Sequence, residues 1–175
     1  SKNLVFDDKK INQLLTNNFY NLEIKSAEFD LENTFSFKID HKYKIDNLKI
    51  NSLLNLKNSK LVSSKNLKEF FPKSNKIIEL SNHQIQIEYK KSLLNINGNG
   101  NILIQKENDY IKYNFLKSKK KLKFDTLLEI KKNPFNLNFL NYKKDQDNKL
   151  EIIILGVKNL FKNEIDFKNI SIKEK

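Results

Sequence analysis

The chain contains no cysteine, no arginine, one alanine, two prolines and three glycines in 175 residues. Without cysteine there is no disulfide, no thiolate nucleophile and no Cys-based zinc or iron–sulfur site. The missing arginine removes the bidentate base contacts and much of the stacking that single-strand nucleic-acid platforms use. A single alanine, with β-branched Ile and aromatic residues carrying much of the apolar content, argues against a long Ala/Leu helical bundle. So few prolines and glycines exclude collagenous and Pro/Gly-rich linker classes. The longest apolar run, Ile152 to Val157, is far short of the ~20 residues with which a helix spans a bilayer. The first residue is Ser1 and no charged-then-apolar leader follows, so the expectation is an excised segment whose targeting element lies upstream.

What the chain has instead is Asn, Ile, Lys, Phe and Tyr, which supply 99 of its residues, against 6 from Gly, Ala, Arg and Pro. The first group is written with AT-rich codons and the second with GC-rich ones. This is the mark of nucleotide bias acting wherever a fold tolerates it, and it warns against reading the net charge of +12 directly as function. The charge is spread, +4 over residues 1–87 and +8 over residues 88–175, and the one dense cluster is Lys117, Lys119, Lys120, Lys121 and Lys123. An apolar fraction of 38% suffices for a packed sheet and argues against global disorder.

Residues 7–17 place Ile11, Leu14 and Leu15 at helical spacing behind Asp7 and Asp8, which predicts a short helix and lead-in over residues 1–18. From Phe19 the period becomes two. The first strand group, residues 19–56, includes a turn near Glu32-Asn33 and an alternation from Phe35 through Phe37, Ile39, His41 and Tyr43 to Ile45, read as one half-buried strand. At Asn47 the phase slips by one, which either ends the strand or marks a β-bulge. Residues 57–76 break the rhythm. Asn66 with Glu69 fits a capping box, Leu67, Phe70 and Phe71 form an apolar face, and Pro72 stops it, so a short helix and loop are expected there. Residues 77–175 form a second strand group, with turns at Gly98-Asn99-Gly100-Asn101, at Asn108-Asp109 and at Lys117–Lys121, and a strand through Phe135, Leu137 and Phe139. About ten short strands joined by short turns predict one mainly β segment, a long, curved antiparallel β-meander with one or two short helices.

Four features add a resemblance to this pattern. They are Phe70-Phe71-Pro72 ahead of an alternating strand, Ile96-Asn97-Gly98-Asn99-Gly100, the run Pro134-Phe135-x-Leu137-x-Phe139-Leu140-x-Tyr142, and the closing Asn169-Ile170-Ser171-Ile172. Residues 70–173 resemble the C-terminal β-rich part of AsmA-like proteins of the YhdP type, the bacterial branch of the bridge-like, repeating β-groove lipid-transfer superfamily. The resemblance implies an apolar concave sheet carrying phospholipid acyl chains in the periplasm of the cell envelope. It further implies adjacent β-groove segments in the same chain, an inner-membrane anchor outside this segment, capping or anchoring proteins as partners, and neither a cofactor nor catalysis.

Under that expectation the groove lining is Phe35, Phe37, Ile39, Tyr43, Ile85, Ile87, Ile102, Ile104, Ile111, Tyr113, Phe115, Phe124, Leu128, Phe135, Leu137 and Phe139. The same alternation describes a closed β-sandwich, in which these residues are ordinary core, so a structural scaffold or adhesin segment stays open. A basic single-strand-binding domain is a third class, disfavoured by the absent arginine; no nucleic-acid partner is expected. The lysine cluster reads as a solvated turn, or as a site of attraction to anionic headgroups. His41 and His83 lie 42 residues apart with no acidic cluster beside them, so no metal site is expected. Gly98-x-Gly100 lacks the third glycine and following helix of a dinucleotide fingerprint.

Overall fold

The computed structural model describes residues 4–7, 22–144 and 147–175. Period-two alternation dominates this sequence, and strands dominate the structure: β1 (Leu4–Asp7), β2 (Leu22–Ile39), β3 (Ile45–Ser63), β4 (Ile77–Lys90), β5 (Leu93–Leu103), β6 (Asn108–Lys117), β7 (Lys121–Ile130), β8 (Asn136–Leu137), β9 (Tyr142–Lys143), β10 (Leu150–Asn159) and β11 (Glu164–Glu174). Nine of them form one antiparallel sheet in the order β1-β2-β3-β4-β5-β6-β7-β10-β11, and β8 and β9 pair in the connection between β7 and β10. Each strand of the large sheet therefore lies beside the next one that the chain contributes to it, with β8 and β9 set aside between β7 and β10. The sheet is open, with no pairing between its outermost strands among the described residues.

The fold class is the expected meander, but several local boundaries differ. The Phe35–Ile45 alternation is not one strand: residues 40–44 are the turn that joins β2 to β3. There the Asp40 carboxylate accepts the Lys42 and Lys44 backbone N–H groups at 2.8 and 2.9 Å, and Tyr43 takes a positive φ of 57°. The turn consumes an odd number of residues, so the apolar parity passes through it unbroken. The slip at Asn47 is a bulge. Asn47 has φ 52°, and the register shifts between Ser36 and Lys38 on the partner strand; Asn tolerates this left-handed conformation. The expected turn at Glu32-Asn33 does not exist, since both residues pair within β2 with Leu53 and Ser52.

The broken rhythm after Leu56 also has a bulge behind it. Lys57 is an extra residue opposite the Glu28–Phe29 step, so β3 continues to Ser63 in shifted phase, inside the expected connector. Within residues 64–76 the predicted helix is a single turn. Phe70 and Phe71 N–H groups reach the Leu67 carbonyl at 3.1 and 2.8 Å, Asn66 Oδ1 accepts from Lys68 N–H at 3.1 Å, and Pro72 removes the next donor. The other expected helix, over residues 7–17, falls almost entirely outside the described residues. The strand expected through Phe139 is only two residues long, because a 3₁₀ turn, Asn138–Leu140, follows β8.

Gly98 to Asn101 lie inside β5 and do not turn. The turn comes earlier, at Lys91 and Ser92, whose φ values of 50° and 61° and the flanking Lys90–Leu93 pair define a two-residue hairpin. The glycines serve packing. A Cβ on Gly98 would enter the Tyr113 ring, one on Gly100 would enter the His83 ring, and one on Gly156 would enter the Phe124 ring.

One rim of the sheet is covered. Ile130, Leu150 and Ile152 are buried with Phe135 and Leu137, and Phe71, Leu128, Tyr142, Ile154 and Ile172 pack around them. The connector and the β8–β9 insertion meet here: Asn136 N–H donates to the Phe70 carbonyl at 3.0 Å and Gln105 Nε2 to the Pro134 carbonyl at 2.8 Å. Buried Asp109 anchors the same corner, accepting from Asn133 Nδ2 at 2.8 Å and Lys131 N–H at 3.0 Å. Burial pushes its carboxyl above the usual carboxylate range, against those donors and the lysines Lys144 and Lys131.

Candidate ligand-binding face

Directly opposed residues in an antiparallel ladder point to the same face, so the register strings side chains into rungs across the strands. One rung runs Leu54, Ile85, Gly98, Tyr113, Thr126, Ile154 and Ile170; the next runs Ser52, Ile87, Ile96, Phe115, Phe124, Gly156 and Phe167. A third joins Gly100, Ile111, Leu128, Ile152 and Ile172. Phe35 extends the same face through Ile50, Tyr89 and Leu94. The result is an apolar surface continuous from β2 to β11.

Among the expected lining residues, Phe35, Phe37, Ile39, Ile85, Ile87, Ile102, Ile111, Tyr113, Phe115, Phe124 and Leu128 share this face. Five do not. Tyr43 is at the tip of the β2–β3 turn; Ile104 is buried just beyond the end of β5; Phe135 and Leu137 belong to the cluster that covers one rim; Phe139 is 76% exposed on the 3₁₀ turn. Sequence reasoning missed Ile50, Leu54, Ile96, Ile154, Phe167 and Ile170, all in phase with residues it found. It also missed the glycine notches, because Gly98 and Gly100 resemble a turn until their cross-strand partners are known.

Away from the covered rim no described residue forms a second layer over the face. Side chains on the central strands are half-buried by their neighbours alone, and toward one edge Phe35 is 69% and Phe37 42% exposed, their rings stacked with centroids 6.3 Å apart. The glycine notches let rings lie over the backbone, giving a row in which His83 is 6.3 Å from Tyr113 and Tyr113 5.4 Å from Phe115, with Phe124 set edge-on to Phe167 at 6.2 Å. Such a floor is low, aromatic and nearly free of charge. Its polar members are muted: burial raises the Tyr113 hydroxyl above its ordinary pKa, and His83 is almost fully buried. His83 Nε2–H donates to the Asn101 carbonyl at 2.8 Å, Nδ1 meets no partner, and burial lowers the ring's pKa, partly offset by that hydrogen bond.

The opposite face is polar in its middle. A rung of Leu53, Gln86, Asn97, Asn114, Asp125 and Leu155 crosses it, and a depression of about 470 Å³ opens there, where amide side chains of this rung, Gln84 and Asn99 mix with the apolar Leu53, Leu127, Ile153 and Leu155. This concavity faces away from the apolar rungs, whereas the resemblance implies an apolar concave face. No group of three His, Cys, Asp or Glu side chains gathers as a metal site among the described residues, and none of their helices is long and apolar enough to cross a membrane.

Comparison of the chain with protein-family models, with curated proteins and with solved structures finds no match.

Proposed function

We propose that this chain is a lipid-binding segment of an AsmA-like, YhdP-type protein of the cell envelope, holding phospholipid acyl chains on its apolar sheet face without catalysing a reaction. The observation that carries the reading is the combination of continuity and openness: an apolar surface crosses eight strands and, among the described residues, only one rim of it is covered. A protein that used these side chains as ordinary core would bury them under a second layer. An acyl chain, about half of a ~30 Å hydrocarbon core, extends over about three strands spaced ~4.8 Å apart, so the nine-stranded sheet offers room for more than one lipid end to end. Full withdrawal of a methylene from water is worth ~0.8 kcal/mol; at half burial on an open floor, roughly fifteen methylenes give about 6 kcal/mol per chain before the cost of immobilisation. Retention therefore depends on both chains of a lipid lying on the face. No polar motif is needed, since unbranched chains are held by area alone.

This reading places the segment in the periplasm, joined to further β-groove segments through its outermost strands β1 and β11. The test is uptake of a fluorescent phospholipid by the purified chain. Phe124→Asp, in the middle of the apolar floor, is expected to abolish uptake while Asn114→Asp, on the other face, leaves it unchanged. Equal uptake by both variants, each with the strand signature of the parent by circular dichroism, overturns the reading.

A further inference from the structure

The meander brings four connections that are far apart in sequence to the same rim, opposite the covered one. They are the turns between β2 and β3, β4 and β5, β6 and β7, and β10 and β11. The rung Tyr89, Leu94, Lys117, Leu122 and Lys158 closes the sheet just below the last three, and Leu160 N–H donates to the Lys120 carbonyl at 2.9 Å, tying two neighbouring turns together. With their flanking residues, 38–46, 89–94, 116–122 and 158–165, these turns carry eleven lysines and three carboxylates, so +8 of the net +12 charge sits in 30 residues. The described residues of the connections at the other rim, 62–78, 102–109 and 129–151, carry ten lysines and six carboxylates. The charge that looked spread in sequence is gathered by topology.

None of the eleven lysines forms an ion pair with a described residue. The four on the β6–β7 turn and its flanks, Lys117, Lys119, Lys120 and Lys121, are all exposed. Large apolar side chains stand between the lysine groups on the same rim: Tyr43 is 90%, Phe161 74% and Leu93 46% exposed. Lysine alone would suit any polyanion. Lysine alternating with unburied aromatic and aliphatic side chains suits a bilayer interface, where headgroup phosphates meet the ammonium groups and rings settle at headgroup level. Stable docking takes two such signals together. A nucleic acid is the poorer fit, because the rim has no arginine.

We infer that this rim docks onto the surface of a bilayer containing anionic phospholipid, through its lysines and the inserted side chains of Phe161, Tyr43 and Leu93. The inference goes beyond the acyl-chain reading and does not need it, since the rim and the apolar floor are different surfaces.

The experiment is co-sedimentation of the chain with vesicles of phosphatidylcholine, with and without phosphatidylglycerol. Binding is expected only with the anionic lipid, and it should weaken as salt is raised. At roughly five-fold per lysine, replacing Lys117, Lys119, Lys120 and Lys121 by Gln lowers partition at least about 100-fold, while Gln at Lys65, Lys68, Lys73 and Lys76 on the other rim lowers it far less. The chain has no tryptophan, so Phe161→Trp supplies a single reporter without disturbing a buried site. Its emission is expected to shift to the blue with anionic vesicles, and that of Phe70→Trp on the other rim to stay in place. Equal losses from the two quadruple variants, an unshifted Phe161→Trp emission, or displacement of bound vesicles by single-stranded oligonucleotide at low salt overturns the proposal. Docking that survives in a variant unable to take up fluorescent lipid supports it independently of the acyl-chain reading.

Discussion

Substituting alanine at Gly98 and at Gly100 separates two demands for glycine that the sequence makes look alike. Neither glycine has a positive φ, so neither is needed for backbone conformation. A Cβ at Gly100 would lie 2.7 Å from the Cα of His83 as well as against its ring, and ordinary carbon contacts are ~3.5–4.0 Å. Relief requires moving backbone at the bulge between Ser81 and Gln84, with a His83 ring that has almost no exposed surface. Overpacking of this kind costs ~1–3 kcal/mol, and the reduced freedom of the unfolded chain returns ~0.4–1 kcal/mol. At Gly98 all three of the closest atoms belong to the far end of the Tyr113 side chain, which lies on the open face and can swing away for ~0.5–1.5 kcal/mol, nearly offset by the same return. Gly100→Ala is thus expected to cost about 1 kcal/mol more than Gly98→Ala. In urea, with a slope of ~2 kcal/mol/M, the unfolding midpoints should differ by roughly 0.5 M by far-UV circular dichroism. Equal losses at both positions would mean that the backbone itself requires glycine, as a turn would, and would refute the account of β5 as one continuous strand.

Other consequences are sharper in direction than in size. Burial lowers the pKa of His83 below its ordinary 6.5, so the unfolded chain takes up that proton first as pH falls. Its contribution to stability is complete above about 6.5 and is lost as pH drops toward the folded value; urea midpoints should fall through this window, and His83→Leu should flatten the decline. Leu150→Ala empties a fully buried position in the cluster under the covered rim and should cost ~2–5 kcal/mol, whereas Phe139→Ala, on an exposed ring, should change thermal stability by no more than ~0.5 kcal/mol.

The meander was legible because period-two alternation is a local signal, written into Ile85 and Ile87, Tyr113 and Phe115, Phe124 and Leu128. The apolar face followed from it. What could not be read locally were the places where register changes. The bulges at Asn47 and Lys57 shift the phase without ending a strand, while residues 40–44 end one without shifting the phase. Gly98 and Gly100 combine turn residues with a role set by rings on neighbouring strands. Asn66 and Glu69 supply a helix start that Pro72 leaves no room to use. The clustering of lysines on one rim was hidden for the same reason: it depends on which turns the topology makes neighbours.

The central claim is that the apolar face is a binding surface and not a core awaiting its cover. Native mass spectrometry of the purified chain after incubation with phospholipid tests it most directly. The account predicts adducts at the mass of whole phospholipid, lost in Phe115→Asp and retained in Asn97→Asp. A folded chain that carries no lipid under the same conditions would contradict it.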